Sequence, residues 1–256
     1  MVRISQNCYA LTGLSFVPPW SVNAGFITGE SRTLIVDTGA NTLSAQTIHG
    51  YASATRPGNA LSVINTEQHL DHVGGNGYFR AFGLEIYGHS QLKRKEEDLH
   101  EAMVELNALI PNRVRRDAHE ERVFYGGTHL ANPSILLAEE TRLDLGSLEV
   151  QIFFTPGHTP TNLSLYIPAD GVLFCGDCII SGYLPNLESG DPAAWQRWLA
   201  SLNTIERLGP RIVMPGHGNV LRDEEIGATL QHIRSVLYRA IETGHAPTLA
   251  GQEDEV

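Results

Sequence analysis

The sequence is poor in cysteine and in positive charge, and it has no long apolar run. Three cysteines, Cys8, Cys175 and Cys178, are too few for a disulfide framework. The start, Met1 to Asn7, has no apolar h-region, so no secretory signal is expected and a reducing cytoplasm is the default location. No window is long and apolar enough to span a bilayer, so no membrane partner is expected. Lys and Arg number 18 against 29 Asp and Glu, a formal net charge of −11. That balance argues against nucleic acid as the main partner, because gripping a phosphate backbone normally takes a basic face. What remains is a 256-residue chain with an ordinary apolar share, enough to bury a sizeable core.

The densest chemistry lies in Thr66-Glu67-Gln68-His69-Leu70-Asp71-His72-Val73-Gly74-Gly75-Asn76. Glu67, His69, Asp71 and His72 are all residue types that bind metals. They follow an apolar run, Ala60 to Asn65, that reads as a buried strand. If the backbone stays extended, alternation points Glu67, His69 and Asp71 the same way. His72 joins them if the chain turns just after the strand, and Gly74 and Gly75 ease such a turn because they tolerate positive φ. Imidazole nitrogen with carboxylate oxygen suits zinc and other first-row divalent metals.

The rest of the chain alternates strands with helices, which points to an α/β architecture. Strands are expected over Asn7–Leu11, Ala24–Gly29, Thr33–Gly39, Leu84–Gly88, Leu148–Thr155, Leu163–Ile167, Gly171–Asp177 and Arg211–Pro215, with a Val17–Trp20 loop after the first. Helices are expected over Thr42–Ala54 and over Gln91–Ile110, where Leu92, Leu99, Met103 and Leu106 share a side and Pro111 ends the helix. Asp191-Pro192 opens another helix, with Asp as N-cap and Pro in the first turn, and Trp195, Trp198, Leu199, Leu202 and Ile205 form its apolar stripe. The last helix runs from Glu224 to Thr243 and stops at Gly244. The polar stretch from Arg113 to Asn132 reads as an excursion from the core, either a surface loop or a lid. The acidic tail from Gly251 to Val256 reads as frayed.

Three further ligand-type residues stand just past strands, each after a glycine: His158 in Thr155-Pro156-Gly157-His158, Asp177 in Cys175-Gly176-Asp177, and His217 in Pro215-Gly216-His217. With Glu67-Gln68-His69-Leu70-Asp71-His72, these residues give the chain its resemblance to the metallo-β-lactamase superfamily. The first motif of that family is His-x-His-x-Asp-His, and Leu34 to Gly39 resembles its early strand with a supporting acid. The resemblance covers almost the whole chain and implies one domain, 1–256, folded as a four-layer αββα sandwich with two pseudo-symmetric halves. The stretch at about 91–132 would be an insertion.

The resemblance also implies a two-metal site along one edge, most simply with zinc. Glu67, His69 and His158 would form the first position and Asp71, His72 and His217 the second, with Asp177 bridging. A hydroxide between the metals would be the nucleophile, and Asp71 would orient it and pass a proton to the leaving group. Asp177 points away from the dedicated β-lactamases, toward the thioesterase, glyoxalase II-like and lactonase branches. The implied activity is hydrolysis of a small-molecule ester, thioester, lactone or amide.

Glu67 departs from the family pattern, where histidine stands. A third carboxylate brings the formal charge of a dinuclear divalent centre with its hydroxide to zero instead of plus one, which weakens it as a Lewis acid. Glu67, His69 and His158 also make a 2-His-1-carboxylate set, which raises iron and manganese relative to zinc. An iron-dependent oxidoreductase resembling the persulfide dioxygenases is the alternative on the same fold, and a metal-binding protein with little turnover is a third. Tyr183 and Asn186, soon after Asp177, are candidates to touch substrate, and Arg113, Arg115 and Arg116 could receive an anionic one. The remaining histidines and the Cys175–Cys178 pair read as packing or surface residues.

Overall fold

The computed structural model describes residues 1–14, 21–109, 125–187 and 190–247. Among the described residues, thirteen strands fall in two sheets. The first holds β1 (Val2–Arg3), β2 (Cys8–Leu11), β3 (Ala24–Thr28), β4 (Arg32–Val36), β5 (Ala60–Ile64), β6 (Ile86–His89) and β7 (Ile135–Leu137), which lie side by side in chain order. Neighbours are antiparallel from β1 to β4 and parallel from β4 to β7. The second holds β8 (Thr141–Asp144), β9 (Glu149–Phe154), β10 (Leu163–Ile167), β11 (Val172–Phe174), β12 (Ile212–Met214) and β13 (Leu221–Arg222), again in chain order. All of its pairs are antiparallel except β11 with β12.

Among the described residues, the α-helices are α1 (Thr42–Thr55), α2 (Leu70–Val73), α3 (Asn76–Ala81), α4 (Glu96–Leu109), α5 (Pro192–Leu208) and α6 (Glu224–Thr243), and Gly176–Cys178 forms a 3-10 turn. None of the described helices is long and apolar enough to cross a membrane. Three apolar clusters define the layers. Ala45, Ile48 and Ala52 of α1 and Phe79 of α3 pack on Phe26, Ile35, Val63 and Ile86 of the first sheet. Ile27, Leu34 and Ile64 of that sheet pack with Val150, Ile152, Leu165 and Phe174 of the second. Trp198, Leu202 and Ile205 of α5 and Ile233 and Leu237 of α6 cover Leu173 and Val213. The order is therefore helix, sheet, sheet, helix. Because both faces of the central strands are covered, β3 is buried along its whole length.

Most boundaries follow the sequence signals. The Asp191 side chain caps α5 by accepting the Ala194 N–H at 2.7 Å, and Gly209 ends it in the left-handed region. The Glu224–Thr243 helix ends at Gly244 as the pattern requires. The helix expected from Gln91 starts later, at Glu96, because the Asn132 amide pairs with both backbone groups of Arg94 and holds that residue out of the helix. Asp98 then accepts the Lys95 N–H across the first turn. The short strands β7 and β8 carry too few residues to announce themselves by periodicity. Val17–Trp20, the stretch 110–124 with Arg113, Arg115 and Arg116, the side chains of Met103 and Leu106, and the tail 251–256 lie outside the described residues.

Candidate metal centre

Five strand ends meet at one edge of the sandwich. Pairing β4 parallel to β5 sets the residues after Val36 beside those after Ile64. Pairing β11 parallel to β12 does the same for the residues after Phe174 and Met214. Crevices outside the carboxyl ends of parallel strands are where α/β folds gather ligand-binding groups. The two sheets are tied there by the Leu163 N–H to the Thr66 carbonyl at 2.6 Å and the Asn23 N–H to the Gly216 carbonyl at 2.7 Å.

All seven ligand-type residues picked from the sequence converge at this edge. The donor atoms of Glu67, His69, His158 and Asp177 lie within 4.8 Å of one another, as do those of Asp71, His72 and His217. Asp177 touches both groups: Oδ2 is 3.4 Å from His158 Nε2 and 3.2 Å from His217 Nε2, and Oδ1 is 3.2 Å from His72 Nε2. Asp71 Oδ2 is 3.2 Å from His217 Nε2. His158 Nε2 is 3.1 Å from His69 Nδ1.

The route to this convergence differs from the extended alternation expected. The strand ends at Ile64, and Leu70–Val73 forms a helical turn. That turn places Asp71 with His72 and His217, not with Glu67 and His69. Gly74 and Gly75 are also needed for another reason than positive φ, since both have negative φ. A Cβ on Gly74 would fall 2.1 Å from the Ala40 carbonyl oxygen, and one on Gly75 would fall 2.4 Å from that of Thr38. Close approach to the loop after β4 excludes a side chain at either position.

Second-layer contacts fix the ring orientations. His72 Nδ1 donates to Asp37 Oδ2 at 2.9 Å, His158 Nδ1 to the Asn186 carbonyl at 3.2 Å, and His217 Nδ1 to the Ser21 carbonyl at 3.1 Å. Each bond leaves Nε2 turned toward the clusters, the arrangement metal-binding histidines use. Asp37 is buried and sits at φ 61, uncommon for a residue other than glycine. Its carboxylate also accepts the Thr66 N–H at 2.7 Å and the Thr66 hydroxyl at 2.6 Å.

The donors suit a divalent cation. Among the described residues, His72 Nε2 and Asp177 Oδ1 are buried without a hydrogen-bond partner, a costly state unless something between them satisfies both. The electrostatics agree. Burial alone would lower the imidazole values, but the neighbouring acids outweigh it and push His69 up to about 9 and His217 up to about 11, with His72 well above its ordinary value. Burial likewise opposes ionisation of Glu67, Asp71 and Asp177, and the histidines outweigh it and hold all three below the usual carboxylate range. For His158 burial prevails and lowers the value. Protons on the histidines thus balance the acids, the charge a metal ion would supply.

Gly216 packs against Asp177 itself. A Cβ there would fall 1.8 Å from Asp177 Oδ1 and 3.0 Å from the Asp177 nitrogen. Gly216→Ala is therefore expected to displace Asp177 and to cost about 3 kcal/mol, roughly 6–12 °C in thermal midpoint for a chain of this size. Thermal melts with and without added metal check it, and an unchanged metal-induced shift would show that Asp177 had not moved.

Several supporting residues carry no motif and escaped the sequence reading. Asn23 clasps the His217 loop by donating to the Pro215 carbonyl at 3.0 Å and the Gly218 carbonyl at 2.8 Å. Asn65 and Asn76 exchange amide bonds beneath α2, and Asn76 also accepts from the Thr38 hydroxyl. Arg94 Nε donates to the Gln68 carbonyl at 2.6 Å, tying the approach to α4 to the ligand loop. The Trp198 and His158 rings meet in a T-shaped arrangement with centroids 5.4 Å apart, and Trp198 Nε1 donates to the Cys178 carbonyl at 2.9 Å. Only Trp198 left a trace in the sequence, as part of an apolar stripe.

Of the proposed substrate residues, Tyr183 and Asn186 lie exposed in the loop after Asp177, and Asn186 contributes its carbonyl to His158. The three cysteines are free and buried, and burial pushes the Cys178 thiol up to about 12. His49 packs among Tyr78, Phe79 and Phe82, and His89 against Phe154.

Residues 17–217 match the family model for the metallo-beta-lactamase superfamily. The chain belongs to that superfamily. It is 29% identical over 149 residues to a hydroxyacylglutathione hydrolase of Thermosynechococcus vestitus, an alignment that covers 57% of this chain and 44% of that protein. It is 26% identical over 213 residues to an acyl-coenzyme A thioesterase of Gallus gallus, covering 80% of this chain and 75% of the relative. A solved metallo-beta-lactamase from Pontibacter korlensis superposes with a TM-score of 0.69 at 16% identity, over 93% of this chain and 97% of that one, which establishes a shared fold. The chain spans about half the length of the hydroxyacylglutathione hydrolases it matches.

Proposed function

We propose that this superfamily member is a metal-dependent hydrolase of small acyl compounds, with thioesters first among esters, lactones and amides. The observation that carries the reading is the convergence of four histidines and three acids on one sheet edge, three of the rings being locked with Nε2 inward. Glu67, His69 and His158 would hold one divalent ion and Asp71, His72 and His217 a second, with Asp177 shared. When bound, such ions polarise a carbonyl and make water nucleophilic at neutral pH. The protein's own part is to hold those groups rigid. Asp37 keeps His72 in one tautomer, and Trp198 and the Asn186 carbonyl keep His158 in one orientation. Asp71 has a side chain 31% exposed, against 0% for Glu67 and 6% for Asp177. It is therefore the acid open to a reactant, suited to take a proton from the attacking water and return it to the leaving group. Two relatives are named for hydrolysing acyl carriers, hydroxyacylglutathione and acyl-coenzyme A, which supports the thioester preference.

The test is turnover by the full chain, metal-stripped and then reloaded with zinc, manganese or iron(II), on a panel of S-acyl thiols, aryl esters, lactones and amides. Metal-dependent release of thiol supports the reading. No turnover on any class with any of the three metals sinks it.

One observation favours a second reading. Glu67 Oε1 lies 2.9 Å from His69 Nδ1 and 3.8 Å from His158 Nε2, a 2-His-1-carboxylate group of the kind that holds non-haem iron. An iron-dependent oxidation of a thiol persulfide would then replace hydrolysis. Anaerobic purification, iron analysis and oxygen uptake with that substrate separate the two.

A further inference from the structure

Asp177 is joined by another acid that reaches both clusters. Glu67 is fully buried, and its Oε1 contacts His69 and His158 of the first cluster. The same atom lies 3.4 Å from His72 Nε2, in the second cluster. A ligand serving only the first position needs no approach to His72. Neither partner is free to drift: the His72 ring is locked by Asp37, and the backbone before Glu67 is pinned by the two bonds from Thr66 to the same carboxylate. The His69 N–H adds a long bond of 3.4 Å to Glu67 Oε2.

We infer that Glu67 is a second bridging carboxylate, shared by both metal positions, so that the two ions bind this chain cooperatively. The inference rests on the reading above only in requiring that divalent ions occupy the cleft. The chemistry follows from the residue type. An imidazole serves a single ion through the one nitrogen it turns inward, whereas the one carboxylate oxygen that faces both clusters, Glu67 Oε1, has more than one lone pair to share and places negative charge between them. Two such groups, Glu67 and Asp177, lower the repulsion the second cation meets, so the first ion prepares the site for the next. The histidine that the superfamily motif carries at this position would leave Asp177 as the sole shared acid.

The probe is manganese(II) without substrate. Metal-stripped full chain is titrated while free aquo-manganese is followed by electron paramagnetic resonance and binding heat by calorimetry. Wild type is expected to take up two ions together and to show a spin-coupled spectrum. Glu67→Gln, nearly isosteric, is expected to weaken both ions at least tenfold, about the minimum seen when groups supporting a metal site are removed. Glu67→His, which leaves Asp177 as the sole shared acid, is expected to bind two ions less cooperatively and with weaker spin coupling than wild type. Circular dichroism on the stripped variants checks folding, and if Glu67→Gln does not fold, Glu67→Asp, which keeps the charge and shortens the reach, must lose coupling instead. Loss of one ion with the other unchanged makes Glu67 a terminal ligand and overturns the inference, as does no change at all. Joint weakening of both ions in Glu67→Gln, without turnover by wild type on any acyl substrate, supports the bridge and overturns the hydrolase. Turnover with a one-ion loss in Glu67→Gln does the reverse, and no uptake by wild type overturns both.

Discussion

Asp71→Asn is expected to lower turnover about 10²–10⁴-fold, the range that loss of a positioned acid–base group produces. Of the three acids in the cleft, Asp71 alone presents substantial surface to solvent, while Glu67 and Asp177 are sealed between imidazoles. A reactant can therefore meet Asp71 without rearranging the clusters. Burial would favour its protonated form, but His72 and His217 outweigh that and hold the carboxyl ionised, the form that accepts a proton. Asparagine keeps the shape and removes the charge. Because Asp71 is also a candidate ligand, metal content must be measured on the same preparation. A fall in kcat with KM and metal content preserved marks the proton-transfer role. A matching fall in metal content assigns the loss to coordination, and unchanged turnover removes Asp71 from the chemistry.

Chelation is expected to lower the thermal midpoint by about 8–16 °C at alkaline pH and by much less near pH 6. Metal held a thousandfold above its Kd adds about 4 kcal/mol to folding, and each kcal/mol moves the midpoint of a chain this size by about 2–4 °C. The pH dependence follows from the histidines. In the stripped chain His69 and His217 stand at about 9 and about 11, above the ordinary value near 6.5. A raised folded value stabilises fully below the unfolded one, and that stabilisation disappears as pH climbs through about 9 and then about 11. The lowered carboxyls of Glu67, Asp71 and Asp177 act oppositely, stabilising at neutral pH and losing that contribution on acidification. The stripped chain therefore weakens as pH rises while metal binding tightens, since ligation needs neutral imidazole. Melts at pH 6 and pH 9, with and without chelator, test this. A gap that narrows toward alkaline pH would contradict it.

The layers and the ligand-type residues that converge at the sheet edge were legible in the sequence because both are written in local patterns. Alternation and β-branching marked the central strands, the Asp191-Pro192 pair and Gly244 marked helix ends, and the Gly-His and Gly-Asp pairs after strands marked His158, Asp177 and His217. Less visible was how residues 65–76 reach their places. An alternating string of donors reads as extended, yet a helical turn from Leu70 splits Glu67 and His69 from Asp71 and His72, held by bonds from Asp37, Thr38 and Asn76 that are distant in the chain or carry no motif. The roles of Asn23 and Arg94 are long-range side-chain to backbone bonds, and a single sequence holds no periodicity that could announce them. Edge strands such as Ile135–Leu137 were lost for want of length.

The T-shaped contact of Trp198 with His158 gives the cleft a built-in optical reporter. An indole seated against an imidazole is quenched when that ring takes on positive charge and responds when the ring binds a metal with its own electronic transitions. Because Nε1 of Trp198 is engaged with the Cys178 carbonyl, the indole stays put while its neighbour changes state. A change in emission on adding metal, over the background of Trp20 and Trp195, should therefore report binding at His158, and it can be timed in a stopped-flow instrument without label or substrate.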